Sequence, residues 1–173
     1  MRNAKEVFSD LLSHQIKGLM IHSQLADYYR FLGLDKYAEC HESHYKQESK
    51  SWRKLAKYYT EHYGMLADEQ AIENPAIIPS DWYGVKSENV DANTKRRAVE
   101  RGLKKWIEWE TETKKMYEQA FSELLSLNEG ASAMRIKKYM CDVDNELAMA
   151  GRYLLNKQAV NYDIGYIVGE QEK

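Results

Sequence analysis

Proline is nearly absent from this chain: two residues in 173, Pro75 and Pro79, both in one short stretch. Proline ends helices and disfavours helix in the residue before it, so this stretch is the strongest interruption expected along the chain. Cysteine is equally scarce. Cys40 and Cys141 are too few for a disulfide scaffold or an all-thiolate zinc site. Charge of one sign is not in excess: 25 Lys and Arg stand against 27 Asp and Glu, a net charge of -2. That balance argues against a dedicated nucleic-acid surface, which shows as a strongly basic domain. No apolar run approaches the ~20 residues of a membrane helix. The opening MRNAKEVFSD lacks the apolar stretch of a signal peptide, so a reducing cytoplasm is the expected setting. Glycine-rich phosphate loops, His-Glu-x-x-His and Gly-x-Ser-x-Gly are all missing.

What is present is helical periodicity. Phe8, Leu11, Leu12, Leu19, Ala26 and Tyr29 fall on one stripe of a helix over about 5–32. Gly33 breaks it. A second stripe of Tyr37, Ala38, Tyr45, Trp52, Leu55 and Tyr59 predicts a helix over about 35–63, with Gly64 as its stop. Residues 65–90 hold both prolines and read as a connector tacked down by Ile72, Ile77, Ile78 and Trp82. A third helix is expected over about 91–127, with Val99, Leu103, Trp106, Ile107, Tyr117, Phe121 and Leu124 inward. Asn128-Glu129-Gly130 makes a turn, and a fourth helix follows over about 131–156 with Ile136, Met140, Val143, Leu147, Ala150 and Leu154 inward. The alternation of Val160, Tyr162, Ile164 and Tyr166 predicts an extended tail over 157–173.

Loop lengths set the topology. Two short turns make two antiparallel hairpins, helices one with two and three with four. A helix of about 28 residues is about 42 Å long at 1.5 Å per residue, a distance that the 26-residue connector can run. The third helix therefore starts at the far end, parallel to the second. The expected fold is all-α: one domain, an up-down-down-up four-helix bundle with one long crossover.

Polar residues interrupt the apolar stripes. Gln15 and His22 lie inward on the first helix, His41 and Glu48 mid-stripe on the second with His44 at its edge, Glu110 on the third and Glu146 on the fourth. Counted from the hairpin turns, Gln15, Glu48, Glu110 and Glu146 lie about 19, 14, 19 and 17 residues away, all near mid-bundle. A buried carboxylate needs a proton, a cation or a metal. Inward carboxylates at one level suit iron, manganese or another divalent metal. Pairing with Lys114 or with the tyrosines is the plainer alternative for Glu110.

The segment Gly33-Leu34-Asp35-Lys36-Tyr37-Ala38, then Glu48, then Leu55-Ala56-Lys57-Tyr58-Tyr59, resembles the second helix of the ferritin-like family: ferritins, bacterioferritins and their Dps relatives. Helix order and the long connector extend the resemblance over roughly 5–156. The resemblance implies that Glu48 is a bridging glutamate, that Glu110 is the third-helix ligand, and that Gln15 stands where the first helix supplies a glutamate. Ser51 stands where the family has histidine. The fourth helix's Glu-x-x-His is replaced by Val143 and Glu146, so a standard di-iron set is incomplete. His22 with His41 or His44 would complete a shifted site. The resemblance also implies iron as the metal and a homo-oligomer, either dimer or cage. Two functions follow: iron binding with oxidation of Fe(II), or a ferritin-like scaffold serving assembly or partner binding.

Overall fold

The computed structural model describes residues 2–65, 75–163 and 167. Four long helices dominate: α1 (Ala4–Phe31), α2 (Asp35–Tyr63), α3 (Ala92–Ser126) and α4 (Gly130–Ala159). No strand occurs among the described residues. Local chemistry sets the ends. Asn3 and Glu6 form a reciprocal capping box on α1, and the Asp91 side chain accepts from the Thr94 N–H at the start of α3. Gly33 takes φ 75° in the α1–α2 turn, where a Cβ would be strained. In the α3–α4 turn Asn128, at φ 59°, takes that left-handed position, and Gly130 already belongs to α4.

Cross-helix contacts establish the helix directions. Arg2, ahead of α1, pairs with Glu123 near the end of α3 at 2.8 Å, so these helices are antiparallel. Tyr58, late in α2, meets Ser132 at the start of α4 at 2.8 Å. The order is therefore up-down-down-up. The connector reaches the opposite end of the bundle, where the Ile77 N–H donates to Gln24 Oε1 and the Ser87 hydroxyl donates to the Phe31 carbonyl. Ile77 is buried and Trp82 stacks on Tyr28 at 5.5 Å, as expected of tacking residues; Ile72 lies outside the described residues.

Two apolar clusters fill the bundle. One gathers Leu25, Tyr29, Leu34, Leu103 and Trp106 toward the Gly33 end; the other gathers Phe8, Leu12, Leu55, Leu124 and Ile136 toward the far end. Each fully buried large aliphatic side chain contributes about 1.5–3 kcal/mol. The level between the clusters is where the inward polar residues sit.

Three details of the sequence pattern are corrected. Tyr45 lies outside the core at 43% exposure, and its place is taken by His44, which is buried rather than at the stripe's edge. α4 continues through Lys157 to Ala159, then Val160–Tyr162 form a turn with positive φ at Asn161 and Tyr162 instead of an extended segment. Tyr162 and Ile167 are buried against the Gly33-end cluster, and Arg96 holds Asp163 at 2.8 Å, so this part of the tail folds onto its own bundle. Ile164 and Tyr166 lie outside the described residues.

Candidate metal centre

Spacing on each helix brings the polar residues to one level. Steps of three and four along α2 put His41, His44 and Glu48 on one face. α1 adds His22, α3 Glu110 and α4 Glu146. His22 Nε2 lies 3.5 Å from Glu110 Oε1 and 3.7 Å from Glu48 Oε1, and His44 Nδ1 lies 3.3 Å from Glu146 Oε2. One donor atom each of His22, Glu110 and Glu146 fall within 4.8 Å of one another. Five of the seven sequence candidates (His22, His44, Glu48, Glu110, Glu146) therefore present donor atoms to this pocket.

The other two play different parts. Gln15 Nε2 donates to the Tyr117 hydroxyl at 2.9 Å. With Glu48, Ser51, Tyr139 and Glu146 it lines a neighbouring cavity of about 30 Å³, enough for a water or an ion. His41 turns its Nδ1 to His22 Nδ1 at 3.0 Å, while its ring stacks on Tyr29 at 5.4 Å and meets Trp106 edge-on at 4.7 Å. It thus faces the outer nitrogen of His22 and not the carboxylates. Lys114, the plainer partner considered for Glu110, is drawn to Asp144 at 2.7 Å. Glu110 instead accepts from the Trp106 indole N–H at 3.1 Å.

Two supporting roles escape a reading of stripes, which shows Trp106 only as inward and passes over Gly18. Gly18 makes room for Glu48: a Cβ there would sit 2.8 Å from Glu48 Oε2 and 2.9 Å from the Trp109 ring. Trp106 serves Glu110 from one turn earlier, an i,i+4 relation visible in the sequence once Glu110 is known to be buried.

The electrostatics are those of a crowded, dry site. Burial, and then the Glu146 carboxylate, push the Glu48 carboxyl well above its ordinary range, with His44 and Trp109 opposing. Although the Glu48 side chain is 19% exposed, its Oε2 is sealed from water. Burial raises Glu110 in the same way, with Glu146 and Glu48 as like-charged neighbours. Burial holds His22 well below the ordinary imidazole value and His41 down at about 3, so both rings are neutral. For His44 burial is outweighed by the neighbouring Cys40 and Glu146, whose Oε2 lies 3.3 Å from Nδ1, and its pKa rises to about 10.

This donor set fits a transition-metal ion. Metal–ligand bonds of about 2.1 Å at tetrahedral angles place neighbouring donors about 3.4 Å apart, close to the separations between His22 or His44 and the carboxylates. His22 Nε2 and Glu48 Oε2 are buried without a hydrogen-bond partner among the described residues, which is costly for polar atoms unless something else binds them. Imidazole and carboxylate together match iron, manganese or zinc better than a soft ion.

The fold is that of the ferritin-like proteins. The chain superposes on two structures described as a novel open pore ferritin from the hyperthermophilic archaeon Archaeoglobus fulgidus. One match has TM-score 0.79 and 14% identity, covering 99% of this chain and 95% of that one. The other has TM-score 0.73 and 14% identity, covering 92% and 87%. A crystal structure of a PmFTN variant soaked in iron matches with TM-score 0.78 and 10% identity over 96% of this chain and 95% of that one. No protein-family model and no curated relative matches the chain. No helix among the described residues is long and apolar enough to cross a membrane.

Proposed function

We propose that this protein binds iron in the mid-bundle pocket, with His22, Glu48, Glu110 and Glu146 as ligands and His44 beside Glu146. The observation that carries the reading is His22 Nε2, buried, without a hydrogen bond, and facing Glu48 and Glu110 at ligand–ligand separation. A bound divalent cation would take the place of the protons that burial otherwise keeps on Glu48 and Glu110, making the ionised carboxylates tolerable in this pocket. Iron as substrate, entering as Fe(II), would be oxidised by dioxygen at this site. The protein's part is a dry, preshaped pocket and ligands held by Trp106, His41 and Gly18. The likeness in fold to ferritins, including the iron-soaked PmFTN variant, supports iron as the ion and, with it, a homo-oligomeric assembly.

An anaerobic Fe(II) titration of the full chain, followed by air, tests this. Expected are saturable binding per chain and ferric absorbance rising faster than in buffer, both lost in Glu48→Ala. Oxidation no faster than in buffer would leave binding without turnover. Unchanged oxidation in Glu48→Ala would remove the assignment.

The second reading, a scaffold without metal chemistry, is favoured by Ser51 and Val143, which stand on the wall of the neighbouring cavity where ferritin-like chains place ligands. Thermal unfolding separates the two. A metal bound only by the native state raises the midpoint, and a bare scaffold shows no shift.

A further inference from the structure

The groove between α2 and α4 collects Lys50 and Lys54 from one helix and Arg135 and Lys138 from the other, against the single acid Asp142. The whole chain has a net charge of -2, so this concentration of cations is a local departure from its composition. Lys50, Lys54 and Lys138 enter no ion pair among the described residues. Arg135 is held in place: its guanidinium lies 4.2 Å over the Tyr58 ring, and the Tyr58 hydroxyl is 2.8 Å from Ser132 Oγ. Glu129, the acid at the start of α4, is engaged by Ser132 at 3.1 Å and His62 at 3.4 Å. The first turn of α4 borders the groove through Ala131 and Met134, adding the partial positive charge of a helix N-terminus.

The space is about 580 Å³, far more than one water or a lone metal ion needs. A fixed guanidinium with three free ammonium groups is the donor set that recognises phosphate oxygens, the guanidinium by paired N–H donors and the ammoniums as point charges. We propose that this groove binds a small anion bearing more than one phosphate group. Gln47, Ser51, Tyr139 and Asp142 line both the groove and the small cavity against Glu48 and Glu146, so the anion would sit on the outer side of the wall that these four residues form. The inference does not depend on a metal being bound.

Isothermal titration of chelator-treated full chain with inorganic tripolyphosphate, orthophosphate and citrate at matched ionic strength tests it. Expected is saturable binding of tripolyphosphate, about one per chain, about tenfold tighter than orthophosphate or citrate. The double variant Lys54→Gln/Lys138→Gln should weaken it by about tenfold with its helical circular dichroism unchanged, while Lys105→Gln on α3 should leave it unaltered. Absence of saturable binding, or an equal loss in Lys105→Gln, overturns the site. Citrate binding as tightly as tripolyphosphate overturns the phosphate assignment.

Discussion

The imidazoles of His22 and His41 meet Nδ1 to Nδ1 at 3.0 Å in a fully buried contact, so one ring carries its proton there and the other accepts it. If His22 Nε2 is a ligand, its proton sits on Nδ1 and is donated to His41, which then fixes both the tautomer and the orientation of the ring. His41→Ala is therefore expected to weaken metal binding by roughly 10–100-fold, as removal of such an outer partner does elsewhere. Competition against a chromophoric chelator measures this, with circular dichroism as the check that the bundle persists. Unchanged affinity would make His41 a core residue and nothing more.

Glu110→Gln should act oppositely on the empty and the loaded protein. The amide oxygen can still accept from the Trp106 indole, while the variant never carries the negative charge that burial and two neighbouring carboxylates disfavour. Without metal the variant is expected to be as stable as the parent or more so. The rise in unfolding midpoint caused by metal should shrink or vanish. Paired thermal scans with chelator and with Fe(II) under argon decide it.

Two glycines in helices should respond with opposite signs. Gly18→Ala forces a methyl against Glu48 and the Trp109 ring, and overpacking of this kind costs about 1–3 kcal/mol. Gly151→Ala, in α4 with nothing within 4 Å of the new carbon, should stabilise by about 0.5–1 kcal/mol. Urea unfolding of the two variants beside the parent gives both signs in one series.

His14 makes stability depend on pH. It is buried, bonded to Thr113 at 2.8 Å and stacked on Trp109, and burial with the nearby Lys17 lowers its pKa to about 3. The unfolded chain, with an ordinary histidine near 6.5, binds that proton first as pH falls. Stability from His14 is thus intact above about 6.5 and lost at up to about 1.4 kcal/mol per pH unit from there down toward 3. In His14→Gln the drop in urea-unfolding free energy between pH 7 and pH 5 should be smaller than in the parent. An equal drop would mean that the ring is not kept neutral.

Much of the centre can be read from one dimension. Glu48, Glu110 and Glu146 stand out because a carboxylate on an apolar stripe has no cheap explanation, and His22 because it shares its stripe with Gln15. The spacing places Gln15 at the same level, and it is there, yet its amide N–H donates to the Tyr117 hydroxyl and not to the metal pocket. The stripe puts His44 at its edge and Tyr45 in the core, the reverse of the structure, because adjacent residues differ by only 100° around a helix and the stripe alone does not fix its rotation. Alternating residues in the tail mimicked a strand. Tyr162 and Ile167 are buried because the bundle leaves apolar surface for them, which the local pattern does not record.

By itself the sequence determined the four helices, their directions and the mid-bundle level of the polar residues. Those depend on periodicity, caps and connector length, all quantities measured along the chain. Tertiary structure alone decided which atoms meet: His22 with Glu48 and Glu110, His44 with Glu146, His41 with the back of His22, and the α2–α4 groove with its four cations. Such contacts depend on how each helix is rotated against its neighbours. That rotation is set by packing the two apolar clusters at either end, and the site lies in the space they leave between them.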